Sequence, residues 1–149
     1  EKEALSCISR YSRDNARTPM QWDDSKNAGF TDGTPWINVN PNYKEINAKA
    51  ALADPDSVFH YYQELIRLRH TLPIIVYGKF QGLLEDSETI YAYKRILDGQ
   101  VLTVACNFTD QEQDCVLCED PTAEELISNY KGHKAGKLQP YEARVILHK

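Results

Sequence analysis

A mainly β chain is what the sequence predicts. An antiparallel β-sandwich over residues 75–149 follows a loop-rich segment and one amphipathic helix over residues 1–74. Three observations carry this reading. Residues 1–53 show little regular periodicity and are punctuated by Asn27, Gly29, Gly33, Pro35, Asn38, Asn40, Pro41 and Asn42. Val58, Tyr61, Leu65, Leu68 and Leu72 then recur at the spacing of one helical face. From Ile74 onward the apolar period changes to two, with turn formers at short intervals.

A structureless run as long as residues 1–53 is unusual inside a compact domain, so this segment is expected to cover something else. The helix is expected to start at Asp54 as N-cap, with Pro55 where a missing amide hydrogen costs nothing and Asp56 adding charge to the first turn. Phe59, Tyr62 and Ile66 widen its apolar face, Gln63, Glu64, Arg67 and Arg69 lie toward the other, and Pro73 ends it. The expected strands are Lys79–Leu84, Ile90–Ile96, Val101–Phe108, Asp114–Cys118, Glu125–Asn129 and Ala143–His148. The turns between them fall at Asp86-Ser87, Asp98-Gly99, Thr109-Asp110, Asp120-Pro121, Lys131-Gly132 and Gln139-Pro140. Asp98-Gly99 suits a tight primed hairpin turn. Short strands so closely spaced imply an antiparallel sandwich.

Composition narrows the partners. The 149 residues carry a formal net charge of −5, with 42% hydrophobic and 26% charged residues, as in ordinary soluble domains. The acidic balance and the lack of a basic run argue against nucleic acid or an anionic membrane surface. No apolar stretch has the length of a membrane span, and the expected location is cytoplasmic. Cys115 and Cys118 have the spacing of a zinc half-site or redox pair. Zinc would need two further ligands, and Cys106 with His60, His70, His133 or His148 makes a poor set. In a strand, Cys115 and Cys118 would also point to opposite faces. Reduced thiols, no metal and no cofactor are expected.

The stretch Arg13-Asp14-Asn15-Ala16-Arg17-Thr18-Pro19-Met20-Gln21-Trp22-Asp23 concentrates polar chemistry. Pro19 disfavours helix at Thr18, so the stretch reads as an ordered loop. A guanidinium fork suits a carboxylate, a phosphate or the vicinal hydroxyls of a sugar, and an indole offers a plate for a sugar ring. The same residues could equally pair with one another and pin the backbone, with Trp22 in a core. Acid–base catalysis by carboxyl groups needs a motif that brings two of them together. None of the 22 acidic residues sits in a motif that supplies such a pair, and Asp23-Asp24 reads as a solvated or capping pair.

Four blocks in order carry a resemblance: Arg13 to Asp23, Asn27-Ala28-Gly29-Phe30-Thr31, Gly33-Thr34-Pro35-Trp36-Ile37, and Asn38 to Asn47. Together they resemble the C-terminal part of amylase-type glycoside hydrolases that act as exo-α-glucosidases, in the group of oligo-1,6-glucosidases, dextran glucosidases and trehalose-6-phosphate hydrolases. Pro140-Tyr141-Glu142-Ala143 extends the match toward the end of the chain. The resemblance implies that residues 1–74 are the last loop and final helix of a (β/α)8 barrel and that residues 75–149 are the β-sandwich called domain C. It implies that Arg17 lines the pocket for the terminal non-reducing glucose, while Arg13, Asp14 and Asn15 brace the loop or line its rim. The family's catalytic carboxylates belong to earlier strands and have no counterpart here, so the chain is expected to be a fragment without activity of its own. Its expected partners are an oligosaccharide in the intact enzyme and the upstream barrel of the same protein.

Three functional readings follow. The chain is part of a retaining exo-α-glucosidase acting on α-1,6-linked oligosaccharides; or part of a trehalose-6-phosphate hydrolase; or an isolated carbohydrate-binding or structural β-sandwich module. Lys26, Lys44 and Lys49 are too spread to suggest a phosphate subsite, which favours neutral oligosaccharides such as isomaltose.

Overall fold

A computed structural model describes residues 2–11, 13–118, 122–132 and 134–148. The expected turn at Asp120-Pro121 and the residue His133 lie outside the described residues, as does the Cys118 side chain. The chain forms two compact units, Glu1–Tyr62 and Gln63–Lys149.

The first unit is loop-rich, as expected, yet holds helices that the punctuation concealed. Helix α1 spans Lys2–Tyr11, and a 3-10 turn follows at Arg13–Ala16. Further 3-10 turns lie at Lys26–Gly29 and Pro41–Lys44. Helix α2, Ala48–Ala53, starts where the Asn47 side chain accepts the amide of Ala50 at 2.8 Å, the bond that satisfies an orphan donor of a first turn. The long helix α3 runs Val58–Thr71 and starts later than expected. Asp54 does not cap it: its carboxylate accepts the amide of Asp56 at 2.9 Å, closing a turn through Pro55. Ser57 Oγ faces the amide of His60 instead, at 3.5 Å. Thr71 ends the helix, and Pro73 begins a second short one, α4, Pro73–Tyr77, because proline is well placed at a first helical position.

The second unit contains a five-stranded antiparallel sheet. Its strands are β1 (Lys79–Leu83), β2 (Ile90–Leu97), β3 (Gln100–Asn107), β5 (Glu124–Ser128) and β7 (Ala143–His148), in the spatial order β1-β2-β3-β7-β5. The β2–β3 hairpin turns on Asp98 and Gly99 with φ of 49° and 82°, the left-handed pair of a primed turn. A second sheet pairs β4 (Gln113–Asp114) with β6 (Lys137–Leu138). The expected strand Asp114–Cys118 is thus mostly absent: after Asp114 the chain turns into a 3-10 helix at Val116–Cys118. Cys115 is buried at that corner, with its amide donating to Gly136 O at 2.7 Å, and belongs to the core rather than to an edge.

Strand register divides the side chains between two faces of the large sheet. Ala92 and Ala105 stand opposite each other and pack with Ile90, Cys115 and Leu138, which seats the small sheet on that face. On the other face Leu102 and Leu147 pair across β3 and β7 and cluster with Ile74 of α4. At the mouth between the sheets Glu142 is fully buried, accepting the amide of Gln139 at 2.7 Å and the Nε of Arg144 at 2.9 Å. Asn107, also buried, ties the end of β3 to the carbonyls of Gln111 and Gln139 at 2.7 and 2.8 Å.

Candidate functional site

The Arg13–Asp23 stretch is built as a 3-10 turn followed by an extended arm. Arg17 closes the turn by donating its amide to Asp14 O at 3.0 Å. Its side chain is exposed and makes no ion pair among the described residues. The Arg13 side chain lies outside the described part of the structure. Pro19 is buried and anchors the arm. Beyond it, Gln21 O and Trp22 O accept the amides of Ala48 and Lys49, each at 2.9 Å, so the arm is clipped to the start of α2. The Gln21 side chain adds bonds to Asn42 Oδ1, at 3.1 Å, and to Ile46 O.

The loop that follows is held in an uncommon conformation. Asn27, Ala28 and Gly29 have consecutive φ values of 55°, 58° and 67°, the left-handed region that disfavours a Cβ. Ala28 is fully buried there, and its carbonyl accepts the amides of Trp22 and Asp23 at 2.8 and 3.2 Å. Asn27 Nδ2 pins the next segment by donating to Thr31 O and Gly33 O at 2.9 and 2.8 Å. Asp23 accepts both the hydroxyl and the amide of Ser25, at 2.5 and 2.8 Å, and these bonds hold its carboxyl below the usual range. Asp24 faces Lys49 at 3.7 Å. The two acids therefore serve the loop, in keeping with a capping reading of Asp23-Asp24.

Beside the arm lies an open trough of about 590 Å³, lined by Pro19, Met20, Trp22, Ile46, Leu52 and Phe59 among others. It is apolar, holds no charged side chain, and does not include Arg17. The structure thus brings Trp22 to the trough and leaves Arg17 outside it. Sequence reasoning passed over Gln21 and Asn27, whose side-chain amides fix the loop; an amide among closely spaced Gly, Asn and Pro residues was the available signal. Among the described residues no group of three or more His, Cys, Asp or Glu side chains could hold a metal ion. No described helix is long and apolar enough to cross a membrane.

Comparison with known proteins places this geometry. The family model described as the alpha amylase catalytic domain matches residues 1–78. The oligo-1,6-glucosidase of Parageobacillus thermoglucosidasius is 54% identical over 152 residues, covering 97% of this chain and 27% of that protein. This chain belongs to the alpha-amylase family. Within that family the oligo-1,6-glucosidase of Halalkalibacterium halodurans is 52% identical over 155 residues, again covering 97% of this chain and 27% of the relative. Among solved structures, the trehalose-6-phosphate hydrolase of Bacillus licheniformis matches with a TM-score of 0.87 and 41% identity, over 97% of this chain and 28% of that one. The trehalulose synthase of Pseudomonas mesoacidophila MX-45 matches with a TM-score of 0.87 and 40% identity, over 98% and 28%. This alpha-amylase family chain therefore spans about a quarter of the length of its relatives, and its first unit corresponds to part of their catalytic domain.

Proposed function

We propose that this chain is the C-terminal part of a retaining exo-α-glucosidase that releases terminal glucose from α-1,6-linked oligosaccharides. In this reading residues 1–74 complete a catalytic barrel and residues 75–149 form the β-domain that steadies it. The catalytic carboxylates are supplied by the upstream part of the polypeptide, and the chain alone is inactive. The enzyme works in the cytoplasm, where thiols such as Cys106 and Cys115 stay reduced. The observation that carries the reading is the identity above 50% with two oligo-1,6-glucosidases over 97% of this chain. Trehalose-6-phosphate hydrolysis is the second reading, favoured by the likeness to the solved hydrolase.

Arg17 is the substrate-pocket residue in this proposal, with Arg13 beside it. What supports Arg17 is its position: an exposed guanidinium, with no ion pair among the described residues, at the end of a turn that its own amide closes. Such a fork can bind two sugar hydroxyls at once and close the end of a pocket, which would impose exo action. The test is kinetic, in the full-length enzyme with isomaltose. Arg17→Ala should lower kcat/KM by about tenfold to a hundredfold, the loss of one charged hydrogen-bonded contact of about 1.5–3 kcal/mol. Arg17→Lys should recover little of it. Unchanged kinetics in both variants would remove Arg17 from the pocket. Preference for trehalose 6-phosphate over isomaltose would select the second reading.

A further inference from the structure

The arm that carries Arg17 is tied down by the side chain of Gln21. This residue is half-buried, and its Nε2 donates to Asn42 Oδ1 at 3.1 Å and to Ile46 O. Both acceptors sit in the turn that leads into α2. That turn is braced by bonds of its own: Asn40 Oδ1 accepts the amide of Asn42 at 3.2 Å, and Asn42 O accepts the amides of Glu45 and Ile46 at 3.0 and 2.9 Å. Buried Asn47 finishes it, donating to Tyr43 O at 2.9 Å while it caps α2. The Gln21 amide therefore fastens the arm to a block that is already held together.

Backbone bonds alone would leave the arm free to turn. Gln21 O and Trp22 O accept from Ala48 and Lys49, two neighbouring amides. Such a pair resists pulling apart but acts as a hinge against rotation. The bonds to Ala28 O hold Trp22 and Asp23, downstream of this point. The Gln21 amide reaches residues 42 and 46, on the other side of Asn47 from the hinge pair, and adds the attachment that stops the rotation. Arg17 lies four residues upstream, at most about 14 Å of extended chain, with Pro19 the one buried side chain between. A rotation of about 5° at Gln21 would carry the Arg17 end by about 1 Å, and a misplacement of that size in a substrate-positioning group can cost about a hundredfold in rate. A carboxamide suits the task because its nitrogen donates to two oxygens at once, whereas an ionised carboxylate only accepts.

We propose that Gln21 is a positioning residue for the reaction: by holding the arm against the Asn42–Ile46 turn, it sets where the Arg17 guanidinium meets the terminal glucose. The proposal rests on the reading of Arg17 as a substrate-pocket residue. Gln21 itself touches no substrate.

The test is a double-mutant cycle in the full-length enzyme, read as kcat/KM for a chromogenic α-glucoside on protein that melts cooperatively. Gln21→Met keeps the length of the side chain, removes the donor and should lower kcat/KM about tenfold. In an Arg17→Ala background the same substitution should cost less than about twofold, because no guanidinium is left to place. Asn42→Leu removes the acceptor from the other side and should repeat the loss, and it carries the same cycle if Gln21→Met fails to fold. Asn42→Asp, which keeps an oxygen for the Gln21 amide, should recover most of what Asn42→Leu loses. Equal losses in both backgrounds, or no loss with Arg17 present, overturn the positioning role and leave the Arg17 reading standing. Unchanged kinetics in Arg17→Ala alone refute that reading and the positioning role with it.

Discussion

Arg144 shows how much of this chain is decided by single side chains. It is 1% exposed, donates to Glu142, and lies 3.6 Å from the carboxylate of Glu125, while its Nη1 is buried without a partner among the described residues. A buried pair of this kind adds little net stability, but removing one member strands the other's charge away from water. Arg144→Ala should therefore cost about 3–5 kcal/mol in urea denaturation of the chain. Arg144→Met with Glu142→Gln should recover much of that loss; a single substitution costing under about 1 kcal/mol would show that water reaches Glu142. Nothing in the local sequence around Glu142 announced this burial, since Pro140-Tyr141-Glu142-Ala143 was visible only as a block shared with a family. Arg17 was legible in the same limited way. Its chemistry permitted a ligand or a structural partner; it makes no ion pair among the described residues, and the choice between the two is a matter for kinetics.

Elements were legible in proportion to the number of residues that repeat a pattern. Strands β2, β3 and β7 each offer six or eight residues of alternation and match expectation within about two residues, the usual uncertainty of an element boundary. Strands β4 and β6 have two residues each, too few to set a period; Leu138 seats them on the large sheet, and exposed charged pairs flank them. Glu112 takes Lys134 and Lys137, the latter at 2.9 Å, and Lys137 also meets its cross-strand partner Asp114 at 3.2 Å. Hydrogen bonds from the two lysines bring the Glu112 pKa down from 4.5 to about 2. A carboxylate depressed on folding contributes stability that is fully present above the unfolded value of 4.5 and is lost as pH falls toward about 2. Glu112→Gln should therefore flatten the acid limb of the stability profile in that window and leave its slope above pH 6 unchanged. An identical acid limb in both proteins would mean that the clamp is solvated away. Helices α1 and α2 went unseen for a related reason: α1 offers Leu5 and Ile8 as its only large apolar pair, and α2 is mostly alanine, so neither shows a broad stripe. The late start of α3 reflects competition between two good caps, in which Asp54 closed a turn and left Ser57 to face the first helical amides.

At the scale of the whole molecule the chain is a cooperative β unit joined in sequence to a stretch of catalytic domain with little core of its own. The buried hydrophobic residues make the asymmetry plain. Among the described residues of Glu1–Tyr62 only Pro19, Ala28 and Asn47 are buried, whereas the second unit holds two clusters, around Ala105 and around Leu102. A chromogenic α-glucoside incubated with the 149-residue chain at high protein concentration should show no saturable turnover. Turnover would place the catalytic carboxylates inside this sequence and overturn the reading of it as a fragment. The placement of the indoles has an optical consequence. The chain's two tryptophans are Trp22, 54% exposed, and Trp36, 95% exposed, and both belong to the first unit, while the sheet carries only phenol and phenyl rings. Indole emission thus reports on the first unit alone, while far-ultraviolet circular dichroism reports on the backbone of both, so one sample heated once separates the melting of the catalytic-domain stretch from that of the chain without a label.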